Sequence, residues 1–289
     1  MDFAEHARAL LDRARRAAEE SGPSARAARR LGGNLAVLRS VGSTNALARR
    51  VVEEYHDEQE SPPPAALVAF EQTAGRGRHG AAWASPAADG AWVTLLQPLG
   101  GPQELPLLPL CVPVALADVL DRHLPAASPC RIKWPNDLLV DGRKIGGVLL
   151  DAITGADEAT GAAAIGFGIN YSQDEAALDG LAGERGATSL ALAADGDLPP
   201  LAELTWELIE AVLGELGREA DPARAVERYR ERSVHRRGDR LSCKLPDGRL
   251  EGAFLGFDER GFLRLELTAG AAGRRPGDEV LVTAGEVAG

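Results

Sequence analysis

Lys133-Trp134-Pro135-Asn136-Asp137, then after one short turn Lys144-Ile145-Gly146-Gly147-Val148-Leu149-Leu150, is the stretch on which the reading of this chain turns. Residues 131–134 and 137–140 read as strand pieces about a Pro-Asn turn, and 144–153 as an apolar strand. A Trp-Pro-Asn-Asp turn is unusual chemistry for mere punctuation between apolar strands. Lys144 stands at the mouth of a strand whose flanks are of buried type, an odd place for a purely structural lysine. Gly146-Gly147 lets a backbone or a ligand come close. The chain has 32 basic residues, yet only Lys133, Lys144 and Lys244 are lysines, and two of them fall here. Lysine and arginine are not interchangeable at specific sites, so the choice itself suggests a role for a compact ammonium.

Upstream, residues 35–40 read as a strand. Ser43-Thr44-Asn45 then opens a helix to about Tyr55, with Leu47, Val51 and Tyr55 on one face. Ser, Thr and Asn are ordinary N-cap residues. They also form a cluster of neutral donors and acceptors suited to a polar, uncharged ligand head. After a strand at 66–70, residues 72–89 read as a long loop, and long loops in compact domains are functional or disordered. That loop holds Gly75-Arg76-Gly77-Arg78-His79-Gly80. As G-x-G-x-x-G it suggests a dinucleotide site, which needs a helix next and an acidic residue about 20 positions on. Ala81-Ala82-Trp83-Ala84-Ser85-Pro86 is a poor helix, and Glu104 sits between Pro102 and Pro106, so that reading is rejected. A flexible backbone whose two guanidiniums close over an anion fits better. A solvated surface turn is the plain alternative.

Further on come a strand at 91–97 and an apolar helix at 108–124 interrupted early by Pro113. A strand at 162–170 contains Gly166-Phe167-Gly168-Ile169-Asn170. Ala187-Thr188-Ser189-Leu190 precedes helices at 200–216 and 222–234. From about residue 234 short strands alternate with turns at Gly238-Asp239, Asp247-Gly248, 258–261 and Gly277-Asp278, the texture of a small β-barrel. A boundary near Ser233 follows, giving an N-terminal helical extension (1–34), a main domain (35–232) and a C-terminal β-domain (233–289). The Ala- and Gly-rich stretches 155–164 and 269–273 read as hairpin loops.

The bulk numbers narrow the function classes. At 289 residues the chain suits one large domain and a small one, or two ordinary domains. No apolar run approaches the length of a membrane span. Residues 3–20 read as an amphipathic helix whose acidic residues argue against a transit peptide, which points to the cytoplasm. A net charge of −11 argues against nucleic acid as the main partner. Cys111, Cys130 and Cys243 lie far apart and form no C-x-x-C pair, so neither a zinc site nor a disulfide framework is expected.

Taken in order, six of these segments resemble the biotin–protein ligases: Ser43-Thr44-Asn45, the loop Gln72 to Arg78, the turn Lys133 to Asp137, Lys144 to Gly147, Gly166 to Asn170, and Ala187 to Leu190. The resemblance covers roughly residues 35–289. It implies an α+β fold: a mixed, mainly antiparallel sheet backed by helices, like the class II aminoacyl-tRNA synthetases, plus an SH3-like barrel. It implies activation of biotin by ATP, with Mg2+, to biotinyl-5′-AMP, then transfer to a lysine of a biotin carboxyl carrier domain. Catalytic roles would fall to Lys144, Arg76 and Arg78. Biotin would be held by Ser43, Thr44, Asn45, Gln72, Arg76, Gly77, Arg78 and Lys144, and the nucleotide by Trp83, Lys133, Asn136, Asp137 and Asn170. Asp137 is also the nominee for the base in transfer. Two departures stand out. His79 and Ala81 occupy positions often basic in the family, which implies a less tightly held intermediate. Only about 34 residues precede the first strand, so no DNA-binding domain is expected there and no membrane or nucleic-acid partner; monomer and homodimer stay open. The competing readings are a lipoate ligase or transferase on the same fold, and a non-catalytic biotin sensor.

Overall fold

A computed structural model of the chain describes residues 2–99, 105–153, 161–179, 181, 185–217, 221–245, 248–269 and 275–288. Two N-terminal helices, α1 (Phe3–Glu19) and α2 (Pro23–Leu31), precede the first strand. Seven strands follow: β1 (Leu35–Leu38), β2 (Ala65–Ala69), β3 (Gly90–Pro98), β4 (Arg131–Lys133), β5 (Asp137–Val140), β6 (Arg143–Ile153) and β7 (Ala162–Asn170). They form one sheet in the order β1-β2-β3-β7-β6-β5-β4. Only β1 and β2 pair in parallel; every other pair is antiparallel. Between strands lie α3 (Thr44–Asp57) and α4 (Leu108–Leu120), and after them α5 (Glu175–Leu178), α6 (Leu190–Ala193), α7 (Leu201–Leu216) and α8 (Pro222–Arg232).

Strand alternation divides the sheet into two faces. Val93, Leu95, Ile165 and Phe167 join the main core with α4 and α7. The opposite face carries Leu96, Ala162, Ala164 and Ile153, which pack under Ala48 and Val52 of α3. Because α3 covers only part of that face, the rest stays open for a site. Helix α4 is apolar nearly all round, as a helix sandwiched between sheet and α7 must be. It runs through Pro113, contrary to the expected interruption, and stops at Leu120 rather than Leu124. The proline ring removes a single backbone donor, and burial of Val112, Val114, Leu116 and Leu120 outweighs it.

The N-terminal extension holds two helices where one was expected. Pro23 at the first turn of α2 and Gly32 in the left-handed region just after it are the sequence signals that were missed. Ser24 accepts a hydrogen bond from the buried Trp206 indole of α7 (2.9 Å).

The C-terminal strands β8 (Arg240–Leu245), β9 (Gly248–Phe257), β10 (Leu263–Leu267), β11 (Glu279–Val282) and β12 (Glu286–Ala288) form a second, antiparallel sheet in the order β11-β10-β9-β8-β12, the SH3-like unit. Of the expected hairpin loops, 154–160 and 270–274 lie outside the described residues, as does Asp247 of one expected turn. Among the described residues no helix is long and apolar enough to cross a membrane.

Candidate active site

A cavity of about 1060 Å³ opens over the uncovered part of the large sheet. Its floor is the outward face of β3, β7 and β6. The first turn of α3 and the 72–85 loop bound one end. The Lys133–Asp137 turn and strands β8, β9 and β12 bound the other. Every residue singled out from the sequence as a site candidate lines it, from Ser43 to Asn170.

The α3 end is built from neutral hydrogen-bonding groups. Ser43 caps the helix weakly, accepting from Ala46 N at 3.5 Å. Gln72 Oε1 accepts from the Thr44 backbone N–H (2.9 Å) and hydroxyl (3.1 Å), while its Nε2 donates to Ser85 Oγ (2.8 Å). The buried Thr94 hydroxyl donates to Asn45 Oδ1 (2.6 Å) and lies 2.8 Å from the Thr44 hydroxyl. Asn45 Nδ2 donates to Leu149 O and to Asp151 Oδ2, both at 3.2 Å. Thr94, Ser85 and Asp151 were not picked out from the sequence. The available signal was a lone hydroxyl inside the apolar run of β3.

Two glycines make this floor usable. A Cβ at Gly166 would sit 1.9 Å from Asn45 Oδ1, and one at Gly168 would sit 2.7 Å from Trp83 Nε1. Both side chains therefore lie directly on the sheet. The Trp83 indole N–H is buried without a hydrogen-bond partner, so it is a donor held ready for a ligand acceptor.

The other end is charged. Lys144 Nζ pairs with Asp137 Oδ1 at 2.5 Å and sits 5.0 Å from the Trp83 ring centre. Lys144 is fixed through its backbone, donating to Gly186 O and accepting from Thr188 N. Arg78 is half-buried and donates from Nη1 to Gly285 O (2.9 Å), tying the loop to the C-terminal sheet. Burial lowers its pKa, with Glu286 and Asp137 acting against that shift. Burial also lowers the pKa of Lys133, opposed by Asp137. Arg76 lines the cavity from the loop and is exposed. Asn136 and Asn170 border the cavity, but their amides are committed to the scaffold. Asn136 Nδ2 donates to Val148 O, and Asn170 Nδ2 donates to Thr188 O (2.9 Å).

Three cations that sequence reasoning did not place here also line the cavity: Arg185, Lys244 and Arg249. The rarity of lysine was a signal for Lys244, the third of three. Among the described residues the lining holds seven basic side chains against two carboxylates, Asp137 and Glu286. A cavity so cationic in a chain of net charge −11 is built for an anionic ligand.

A model of the biotin/lipoate A/B protein ligase family matches residues 37–170. A biotin–[acetyl-CoA-carboxylase] ligase of Paracoccus denitrificans is 36% identical over 156 residues, covering 54% of this chain and 55% of that protein. A biotin–[acetyl-CoA-carboxylase] ligase of Mycobacterium tuberculosis is 32% identical over 266 residues, 88% of both chains. The chain belongs to the biotin–protein ligase family. It spans about half the length of the Paracoccus relative. Among solved structures, the biotin protein ligase of Aquifex aeolicus in complex with biotin and ATP superposes with a TM-score of 0.66 at 25% identity, over 88% of this chain and 97% of that one.

Proposed function

We propose that this chain is a biotin–protein ligase: it activates biotin with ATP to biotinyl-5′-AMP and transfers the biotinyl group to a lysine of a biotin carboxyl carrier domain. The observation that carries this reading is one cavity with a neutral, hydrogen-bonding end and a cationic end, joined at Lys144. The ureido head belongs at Thr44, Asn45 and Gln72, which puts the carboxylate near Lys144 and the nucleotide toward Trp83, Lys133 and the C-terminal sheet.

In the first step a biotin carboxylate oxygen attacks the α-phosphorus, the bond to the bridging oxygen breaks, and pyrophosphate leaves. Two anions must meet, so fixed positive charge is worth most where they touch. Lys144 supplies it from the rigid sheet, oriented by Asp137 until substrates compete for the ammonium. Arg78 and Arg76 supply it from the loop. Magnesium would neutralise part of the triphosphate; Glu286, a cavity carboxylate without an ion pair among the described residues, would be the side chain to hold it. In the second step the acceptor amine attacks the acyl carbon, the mixed anhydride C–O bond breaks, AMP leaves and the amine gives up a proton. Asp137 is the carboxylate on hand for that proton. The 75–85 segment shields the anhydride from water. The location we propose is the cytoplasm. We also propose residues 35–232 as the catalytic domain and 233–289 as its C-terminal β-domain.

A lipoate-specific enzyme on this fold would not need the neutral polar network, because a dithiolane carries no N–H or carbonyl to meet it. A sensor would not need Lys144, Arg76 and Arg78 in one cavity. The test is biotin-dependent pyrophosphate release from MgATP, followed by the mass of an added acceptor domain. Release plus a gain of one biotinyl group supports both steps. Biotin binding without release indicates a sensor, and turnover with lipoate alone overturns the reading.

A further inference from the structure

The amide of Asn45 has a fixed orientation, and Asp151 helps to fix it. Both Nδ2 hydrogens are used, one on Leu149 O and one on Asp151 Oδ2, at 3.2 Å each. Oδ1 accepts from Thr94 at 2.6 Å and lies over Gly166 on the cavity floor. Flipping the amide would turn its oxygen toward a carbonyl and a carboxylate, two acceptors with no proton between them. Asn45 is buried, so that repulsion is poorly screened. An sp² oxygen accepts two hydrogen bonds, and Thr94 occupies one. Asn45 lines the cavity, so the remaining lone pair is available to a ligand that donates a hydrogen bond.

We propose that Asp151 is a positioning residue for specificity: by locking Asn45 with its carbonyl oxygen on the cavity floor, it makes this end of the site a reader of ligand N–H groups. The ligand class it selects is a cyclic urea, whose ring nitrogens carry N–H donors. A dithiolane head offers no donor and leaves Asn45 Oδ1 short of a partner. A site built around a buried hydrogen bond to its substrate rejects analogues lacking it far more strongly than an apolar pocket rejects a size change. Asp151 acts through Asn45 and does not itself line the cavity.

This inference rests on the biotin reading, and the experiment separates the two. Wild-type protein is first titrated with biotin and with a biotin analogue methylated at a ureido nitrogen, each isomer in turn. If wild-type binds no biotin, the functional reading fails. If it does, Asp151→Asn and Asp151→Glu are compared by the same titrations, and by KM for biotin and for ATP. Asp151→Asn places beside Asn45 an amide that can accept from it or donate to its flipped carbonyl, so only Leu149 O still opposes the flip and the lock is weakened. The expected result is a roughly tenfold or greater loss of biotin affinity, an unchanged KM for ATP and recovery in Asp151→Glu. The penalty for one of the two N-methyl isomers shrinks in Asp151→Asn, because the acceptor it offended is no longer held in place. Unchanged biotin affinity in Asp151→Asn, or a methyl penalty equal to wild-type for both isomers, overturns the proposal. An equal loss for biotin and ATP also overturns it, since that is damage to the fold.

Discussion

Gly166 shows how the candidate site depends on what is missing at one residue. Its α-carbon faces Asn45 across a gap that a methyl group would fill, with 1.9 Å to Oδ1. Gly166→Ala expels the Asn45 side chain from the floor and breaks its bonds to Thr94, Leu149 and Asp151. Calorimetric titration is expected to show biotin affinity reduced about 10- to 100-fold, with ATP binding retained. Lys144 makes the opposite case, of a charge that must be present. Lys144→Gln shortens the side chain by one atom and removes the ammonium, leaving Asp137 without its partner at 2.5 Å. Biotin-dependent pyrophosphate exchange is expected to fall about 10²–10³-fold, the usual cost of losing one preorganised charge-stabilising group. Exchange at the normal rate would remove Lys144 from the first step.

Among the elements, the turn between β4 and β5 is the joint between the two sheets. Trp134 donates from its indole to Gly261 O (3.2 Å) and from its backbone to His235 Nε2 (3.2 Å), and Tyr229 of α8 donates to Pro135 O (3.1 Å). Gly261 itself presses on Leu110 of α4, where a Cβ would meet Cδ2 at 2.3 Å. Trp134→Phe keeps most of the buried ring area and drops the indole donor, orphaning Gly261 O. Urea denaturation is expected to show a loss of about 1–3 kcal/mol. This joint was half legible in the sequence. The Lys-Trp-Pro-Asn-Asp motif marked the turn, but its partners at 229, 235 and 261 lie far along the chain, and no local spacing announces them. The same holds for Arg78, which was read as a loop cation and is already tied to Gly285 O.

For the whole molecule, stability is coupled to pH through His235. Its Nε2 accepts a backbone hydrogen bond, which requires a neutral ring. Burial lowers its pKa to about 4, reinforced by Lys133, Arg185 and Arg236 and opposed by Asp239. In the unfolded chain the ring titrates near its ordinary value of about 6.5. Between those values the unfolded state binds the extra proton, so stability is full above about 6.5 and falls as pH drops toward about 4. The loss attributable to this one residue is about 3 kcal/mol. Thermal melts at pH 7 and 5 should show a larger drop for the wild-type than for His235→Gln, whose carbonyl can still accept from Trp134. Equal drops would exclude His235 as the source.

What the sequence determined by itself was local and chemical. Short apolar runs bounded by glycine, proline and polar residues marked the seven strands of the large sheet to within a residue or two. Ser43, Gly75–Arg78, Lys144 and Gly166 stood out because their residue types are costly or unusual where they sit. What only the tertiary structure decided was convergence. Residues of α3, the 72–85 loop, β6, β7 and the C-terminal sheet reach one cavity through strand order β3-β7-β6-β5, which no single segment encodes. Thr94 and Asp151 are ordinary strand residues in sequence; register alone puts them on the open face with Asn45. Lys244 and Arg249 face the cavity for a similar reason, since they pair across β8 and β9 at its lip. Side-chain chemistry is written residue by residue, whereas proximity between distant residues is a property of the packed sheet.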